Sequence, residues 1–166
     1  MFSKLLFGLL LCWGVYSFPD GAPIDACVKD RPNQPNHGQH RTQPLSTLPY
    51  RVFATSAGYG PNTPITVSIE GSETFKGFFL QGRSAETHEW IGSWEPAPNT
   101  TIHPECSAIT HGDPKEKARA TLVWRAPDNA QGQVYFTGTV LKDYSTFWGN
   151  LIAETPQDPA QLQILG

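Results

Sequence analysis

The chain has 166 residues, with 12 Lys and Arg against 15 Asp and Glu, a formal charge of -3. Its length suits one domain with a real core and argues against two, since single domains commonly run about 100 to 150 residues. The mild acidity, with Lys29, Arg31, Arg41, Arg83, Lys115, Lys117 and Arg119 interleaved among acids, excludes a nucleic-acid or anionic-membrane binder that relies on net charge.

Met1 to Ser17 joins a short basic start to an apolar run from Leu5 to Val15 and a small residue at the cut site, the pattern of a secretory signal peptide (1–17). The apolar run is shorter than the roughly 20 residues that span a bilayer. A lipoprotein signal at Cys12 would want a small residue where bulky Leu11 stands. Cleavage removes one cation, Lys4, and no anion, so the formal charge moves from -3 to -4. The mature chain, 18–166, is expected to be a single soluble, secreted domain with no transmembrane segment. Its tail, 156–166, lacks a lipid-anchor signal and is read as flexible.

Cys12 leaves with the leader, so Cys27 and Cys106 remain, and in an oxidising compartment they are expected to pair. The bridge would close a loop of roughly 80 residues, for which chain entropy gives about 4.5 kcal/mol as an upper figure. Two free thiols or an intermolecular pair are the alternatives. The stretch from Cys27 to Leu48 has almost no apolar period and carries Pro32, Pro35, Pro44, His37 and His40, so it reads as an extended polar segment pinned at its start.

Beyond it no stretch offers a helical apolar stripe, and the legible period is that of strands. Ile65 to Glu70 alternates apolar and polar strictly. Tyr50 to Thr55, Phe75 to Arg83, Glu89 to Trp94, Ala120 to Arg125 and Gln133 to Leu141 are further strand candidates, rich in aromatic and β-branched residues. Turn chemistry separates them at Gly58–Asn62, Glu70–Ser72, Glu95–Asn99, His111–Pro114 and Ala126–Asn129. Short punctuated strands point to an all-β sandwich of about seven or eight strands. Its two sheets would bury Val67, Ile69, Phe78, Leu80, Ile91, Leu122, Trp124, Val134, Phe136 and Val140.

Catalytic patterns break wherever they begin. His88-Glu89-Trp90-Ile91-Gly92 opens like the zinc-protease H-E-x-x-H but ends on glycine. His103-Pro104-Glu105 lacks the later P-C-x-x-C of a zinc deaminase. Gly82 to Glu86 has an acid where a nucleophile elbow needs its second glycine. His37 and His40 would make at best a two-ligand metal site, and solvated loop histidines are the plainer reading. His103 and His111, flanking Cys106, are read as hydrogen-bonding backbone near the bridge. No cofactor, metal or catalytic residue is therefore assigned.

Period-2 geometry puts Trp90 and Trp94 on one face of their strand. If Ile91 points inward, the two indoles point outward and form a stacking platform for a ligand; burial of the indole face is the rival reading. Trp148 reads as a plug at the end of the last strand. Asn99-Thr100-Thr101 is an N-glycosylation sequon, kept in a loop by Pro96 and Pro98.

Phe18-Pro19-Asp20-Gly21-Ala22-Pro23 before Cys27, Phe75 to Arg83, Ile91-Gly92-Ser93-Trp94, Cys106 with His111, and Trp124-Arg125-Ala126-Pro127 resemble the reelin (reeler) domain over nearly the whole mature chain. Cys27 to Pro35, Gln43 to Tyr50, His103 to Ser107 and Gln133 to Val140 are similar to the small secreted insect defense proteins built from one such domain. The resemblance implies an immunoglobulin-like β-sandwich, a disulfide at the two cysteines, secretion into body fluid and a role in innate immunity, with no established catalytic residue. Other members attach the domain to adhesion, matrix or membrane reductase modules, so the fold alone does not fix activity. The expected function is that of a secreted, non-enzymatic antimicrobial defense protein that binds microbial cell-wall polymers or other surface components. An adhesion or matrix module binding the host cell surface is the alternative, and a small hydrolase or metalloenzyme is the least supported.

Overall fold

A computed structural model describes residues 20–28, 33–35 and 37–156. The leader, 1–17, and the tail beyond 156 lie outside the described residues. Among the described residues ten strands form two antiparallel sheets. They are β1 (Tyr50–Ala54), β2 (Gly58–Tyr59), β3 (Pro64–Phe75), β4 (Gly77–Ser84), β5 (Ser93–Trp94), β6 (Thr100–His103), β7 (Ala108–His111), β8 (Lys117–Arg125), β9 (Gly132–Leu141) and β10 (Phe147–Ile152). One sheet has the order β1-β3-β8-β5; the other runs β10-β9-β4-β7-β6, with β2 on β9. Eight strands have four residues or more, and β2 and β5 have two, so the expected all-β sandwich of seven or eight strands is the one observed.

The alternation read in Ile65 to Glu70 is the centre of β3, where Ile65, Val67 and Ile69 are fully buried. They face Phe78, Leu80, Val134, Phe136 and Val140 of the second sheet across one core that Leu122 and Trp124 complete. Ile91 packs against this core only partly buried, which departs from its expected place inside it. Glu70-Gly71-Ser72 is not a turn. β3 continues through it to Phe75 with a register shift after Glu70, because Gly71 pairs with Tyr50 where a Cβ would stand 2.3 Å from the Pro49 carbonyl oxygen. The expected strand Glu89 to Trp94 is also broken, retaining a single bridge at Trp90 and the short β5.

The described residues of the polar N-terminal segment lie as a strap against the outer face and the β10 edge of the larger sheet. Cys27 is bonded to Cys106, and the two pack with Ala26, Phe79 and Ala108 in a small second core. Thr110 Oγ1 accepts from the Ala22 N–H at 3.1 Å, and Thr139 Oγ1 donates to the Asn33 carbonyl. Further along, Gln43 N–H donates to Phe147 O at 2.8 Å and Trp148 Nε1 donates to Thr47 Oγ1 at 3.0 Å. Phe79, Gln81, Thr110 and Thr139 are thus buried on a sheet face that would otherwise meet water.

Candidate functional site

Trp90 and Trp94 do not form an outward pair. Gly92 between them has φ +65°, a left-handed conformation natural to glycine, and it breaks the two-residue period. Before the break Trp90 bridges to Arg83 of the larger sheet; after it Trp94 pairs with Trp124 of the smaller one. The chain crosses between sheets, and the indoles part. Trp94 is buried at 4% exposure and its Nε1 donates to Ser107 O at 2.8 Å. Trp124 Nε1 donates to Ile91 O at 3.0 Å, and Ser107 Oγ donates to the same carbonyl at 2.6 Å. These bonds fasten the crossover beside the disulfide, in keeping with the need of buried indole N–H groups for acceptors.

Trp90 remains on the surface at 37% exposure, and the register gives it company the sequence did not reveal. Arg83 faces Trp90 on one side and Tyr135 on the other. Directly opposed residues share a sheet face, so Trp90, Arg83 and Tyr135 make a row across three chain segments. The Arg83 guanidinium carbon lies 5.6 Å from the Trp90 ring centroid. Arg83 Nη1 donates to His88 O at 3.0 Å and Nη2 to Gln81 Oε1 at 3.2 Å, which fixes the fork and leaves one N–H on each terminal nitrogen. His88 Nδ1 lies 3.2 Å from the Tyr135 hydroxyl. The row therefore offers two aromatic side chains and a pinned cationic fork, suited to stack on an apolar ring face and donate to its oxygens.

The other features are accounted for by structure. Nε2 of His103 lies 2.8 Å from Ala22 O, and Nδ1 of His111 lies 3.1 Å from Phe78 O, both serving backbone near the bridge. Burial holds the His111 imidazole below the usual histidine range, against its bond to Phe78, which acts to raise it; Lys117 lowers it further and Asp113 opposes. His37 stacks on Tyr144 with ring centroids 4.1 Å apart, and His40 meets the same ring edge-on at 5.6 Å. No cluster of three metal-ligating side chains occurs among the described residues, where no helix is long and apolar enough to cross a membrane. An open depression of about 710 Å³ lies over Arg51, Glu70 and Arg119, but Arg51 is paired with Glu154 at 2.7 Å and Arg119 with Glu70 at 2.6 Å. Asn99 is exposed, with φ +55°, immediately before β6.

The chain belongs to the Reeler domain family, whose model matches residues 25–159. It is 30% identical over 139 residues to "Putative defense protein 3" of Antheraea mylitta, covering 80% of this chain and 81% of that one. A match to "Putative ferric-chelate reductase 1" of Danio rerio, 29% identical, covers 88% of this chain but 26% of the reductase. Among solved structures, the human F-spondin reeler domain superposes with a TM-score of 0.55 at 18% identity, over 75% of this chain and 96% of that domain. That likeness establishes the fold.

Proposed function

We propose that this Reeler chain is a secreted, non-enzymatic innate-immunity protein that binds microbial surface polymers through the row Trp90, Arg83 and Tyr135. The observation that carries the reading is the reciprocal coverage with "Putative defense protein 3" of Antheraea mylitta, 80% of one chain and 81% of the other. That match spans about four fifths of both chains, whereas the reductase match uses 26% of the longer protein. The row suits the ligand class, because indole and phenol faces stack on sugar rings while the fork donates to hydroxyl or carboxylate oxygens. A single contact of this size is weak. Repetition of the ligand along a cell wall supplies avidity to any multivalent presentation of the protein.

The test is a pull-down of non-reduced protein on intact bacteria, fungal cells, purified cell-wall polymers and host cells, with Trp90→Ala in parallel. Saturable binding to a microbial polymer, reduced tenfold or more in the variant, is expected. Equal binding by the variant removes the row from the reading, and binding to host cells alone replaces defense with adhesion.

A further inference from the structure

We propose that Asn99 carries an N-linked glycan that shields an open, uncharged edge of the sandwich, strand β6. The proposal rests on passage of the chain through a eukaryotic secretory pathway.

Among the described residues the sheets end on β1, β5, β10 and β6, with the two-residue β2 as a further short edge beside β9. An edge strand offers unpaired backbone donors and acceptors to any second strand, and proteins cover, shorten or charge such edges. β1 is covered by Glu154, which donates from its N–H to Val52 O and accepts from the Ala54 N–H, both at 2.8 Å. β10 is met by the strap, where Gln43 N–H donates to Phe147 O and Gly149 N–H to Thr42 Oγ1, each at 2.8 Å. β5 is only two residues long and pairs with β8 at Trp124 and Arg125 alone, but the stretch of β8 it leaves open carries Lys117 and Arg119, charges that blunt an edge. β6 is different. It has four residues, Thr100–His103, and among the described residues no backbone hydrogen bond from outside the sheet reaches them. It also lacks Lys, Arg, Asp, Glu and Pro, the residues that commonly blunt an edge.

The sequon occupies the head of this strand. Asn99 directly precedes β6, and Thr101 is an exposed residue within it. The Asn99 backbone is held by the Gly112 N–H, which donates to its carbonyl at 2.6 Å. Its amide makes no side-chain hydrogen bond among the described residues. The left-handed backbone, which Asn tolerates better than other non-glycine residues, turns the chain into the strand at this point. A glycan here stands beside the exposed edge and blocks approach of a second strand. In the transfer, the bond from the sugar anomeric carbon to a lipid pyrophosphate breaks and a bond from that carbon to Asn99 Nδ2 forms. The amide loses one proton and lipid pyrophosphate leaves, with no change of oxidation state.

The test expresses the full chain in insect cells and compares wild type with Asn99→Gln, Thr101→Ala and Thr101→Lys, all purified from the medium. Peptide mass mapping reads occupancy, and size exclusion with light scattering reads association. The expected result is a glycan on Asn99 in most wild-type molecules and a severalfold rise in dimer and larger species for Asn99→Gln and Thr101→Ala. Thr101→Lys, equally unglycosylated but charged at the edge, stays monomeric. Secreted wild type with bare Asn99 overturns the proposal, as do unglycosylated variants that remain as monomeric as wild type. Association of Thr101→Lys equal to that of Thr101→Ala overturns the edge mechanism. Failure of the wild type to leave the cell fails the secretion reading instead.

Discussion

Gly92 lies against the indole of Trp124 so closely that a Cβ on it would stand 2.2 Å from Cζ2, and its φ of +65° is one a side chain rarely adopts. Contact and conformation act together to carry the chain from Trp90 on one sheet to Trp94 on the other. Gly92→Ala is expected to cost about 3 kcal/mol, from backbone strain and from displacement of a fully buried indole. Urea unfolding followed by tryptophan fluorescence measures it, and a loss under about 1 kcal/mol would show that the crossover relaxes freely.

Trp90 and Trp94 are expected to separate binding from stability. Trp94→Phe removes the donor to Ser107 O and part of the contact with Phe136, whose ring centroid lies 5.6 Å away. The loss is expected to be about 1 to 3 kcal/mol, tempered because Ser107 O also accepts from the Gly82 N–H. Trp90→Ala, at a surface position, should change stability by less than about 1 kcal/mol. Paired denaturant curves check both values, and equal losses would place Trp90 in the core.

The sequence was legible where a strand meets water on one face and the core on the other. Ile65 to Glu70 does so, and its alternation is complete. β7 went unread because the strap covers its outer face: Ala108, Ile109 and Thr110 are all buried, so no alternation exists to find. β10 was hidden by a register shift between Trp148 and Leu151, where Asn150 has φ +56°. The aromatic pair failed for a related reason, since period-2 reasoning assumes an unbroken strand and Gly92 ends it. The neighbours of Trp90 are Arg83 and, through Arg83, Tyr135, which lies 45 positions along the chain from Trp90, a relation no local spacing encodes.

Acid should destabilise the protein. His111 and His37 are both held below the ordinary histidine value of about 6.5, chiefly by burial. Above that value both are neutral in the folded and unfolded states, and the full stability is present. As pH falls below it, the unfolded chain binds protons that the folded chain resists, so stability declines until the folded pKa values are passed. His111 sits against Gly77, where a Cβ would meet its ring at 2.7 Å, so a charged imidazole has little room to be hydrated. Denaturant midpoints from pH 7.5 to 5 should fall, with a shallower fall in His37→Gln. A flat profile would mean that both rings are solvated.

The disulfide joins positions 79 apart, and its role is clearest in what the strap covers. Cys27→Ser with Cys106→Ser should cost about 2 to 5 kcal/mol, the usual range for a native bridge. The loss should begin at the strap, since Phe79 and Ala108 lie beneath residues that the bridge anchors, while Trp94 and Trp124 keep their carbonyl partners in a separate core. Hydrogen exchange is therefore expected to quicken first at Ala22 and Ala26, whose N–H groups donate to Thr110 Oγ1 and Pro23 O. The amides of β3 and β8 should exchange only on global unfolding. Simultaneous loss of protection in the strap and in β3 would show that the strap and the two sheets unfold as one unit. The bridge would then hold the whole sandwich together, beyond fastening the strap to one face.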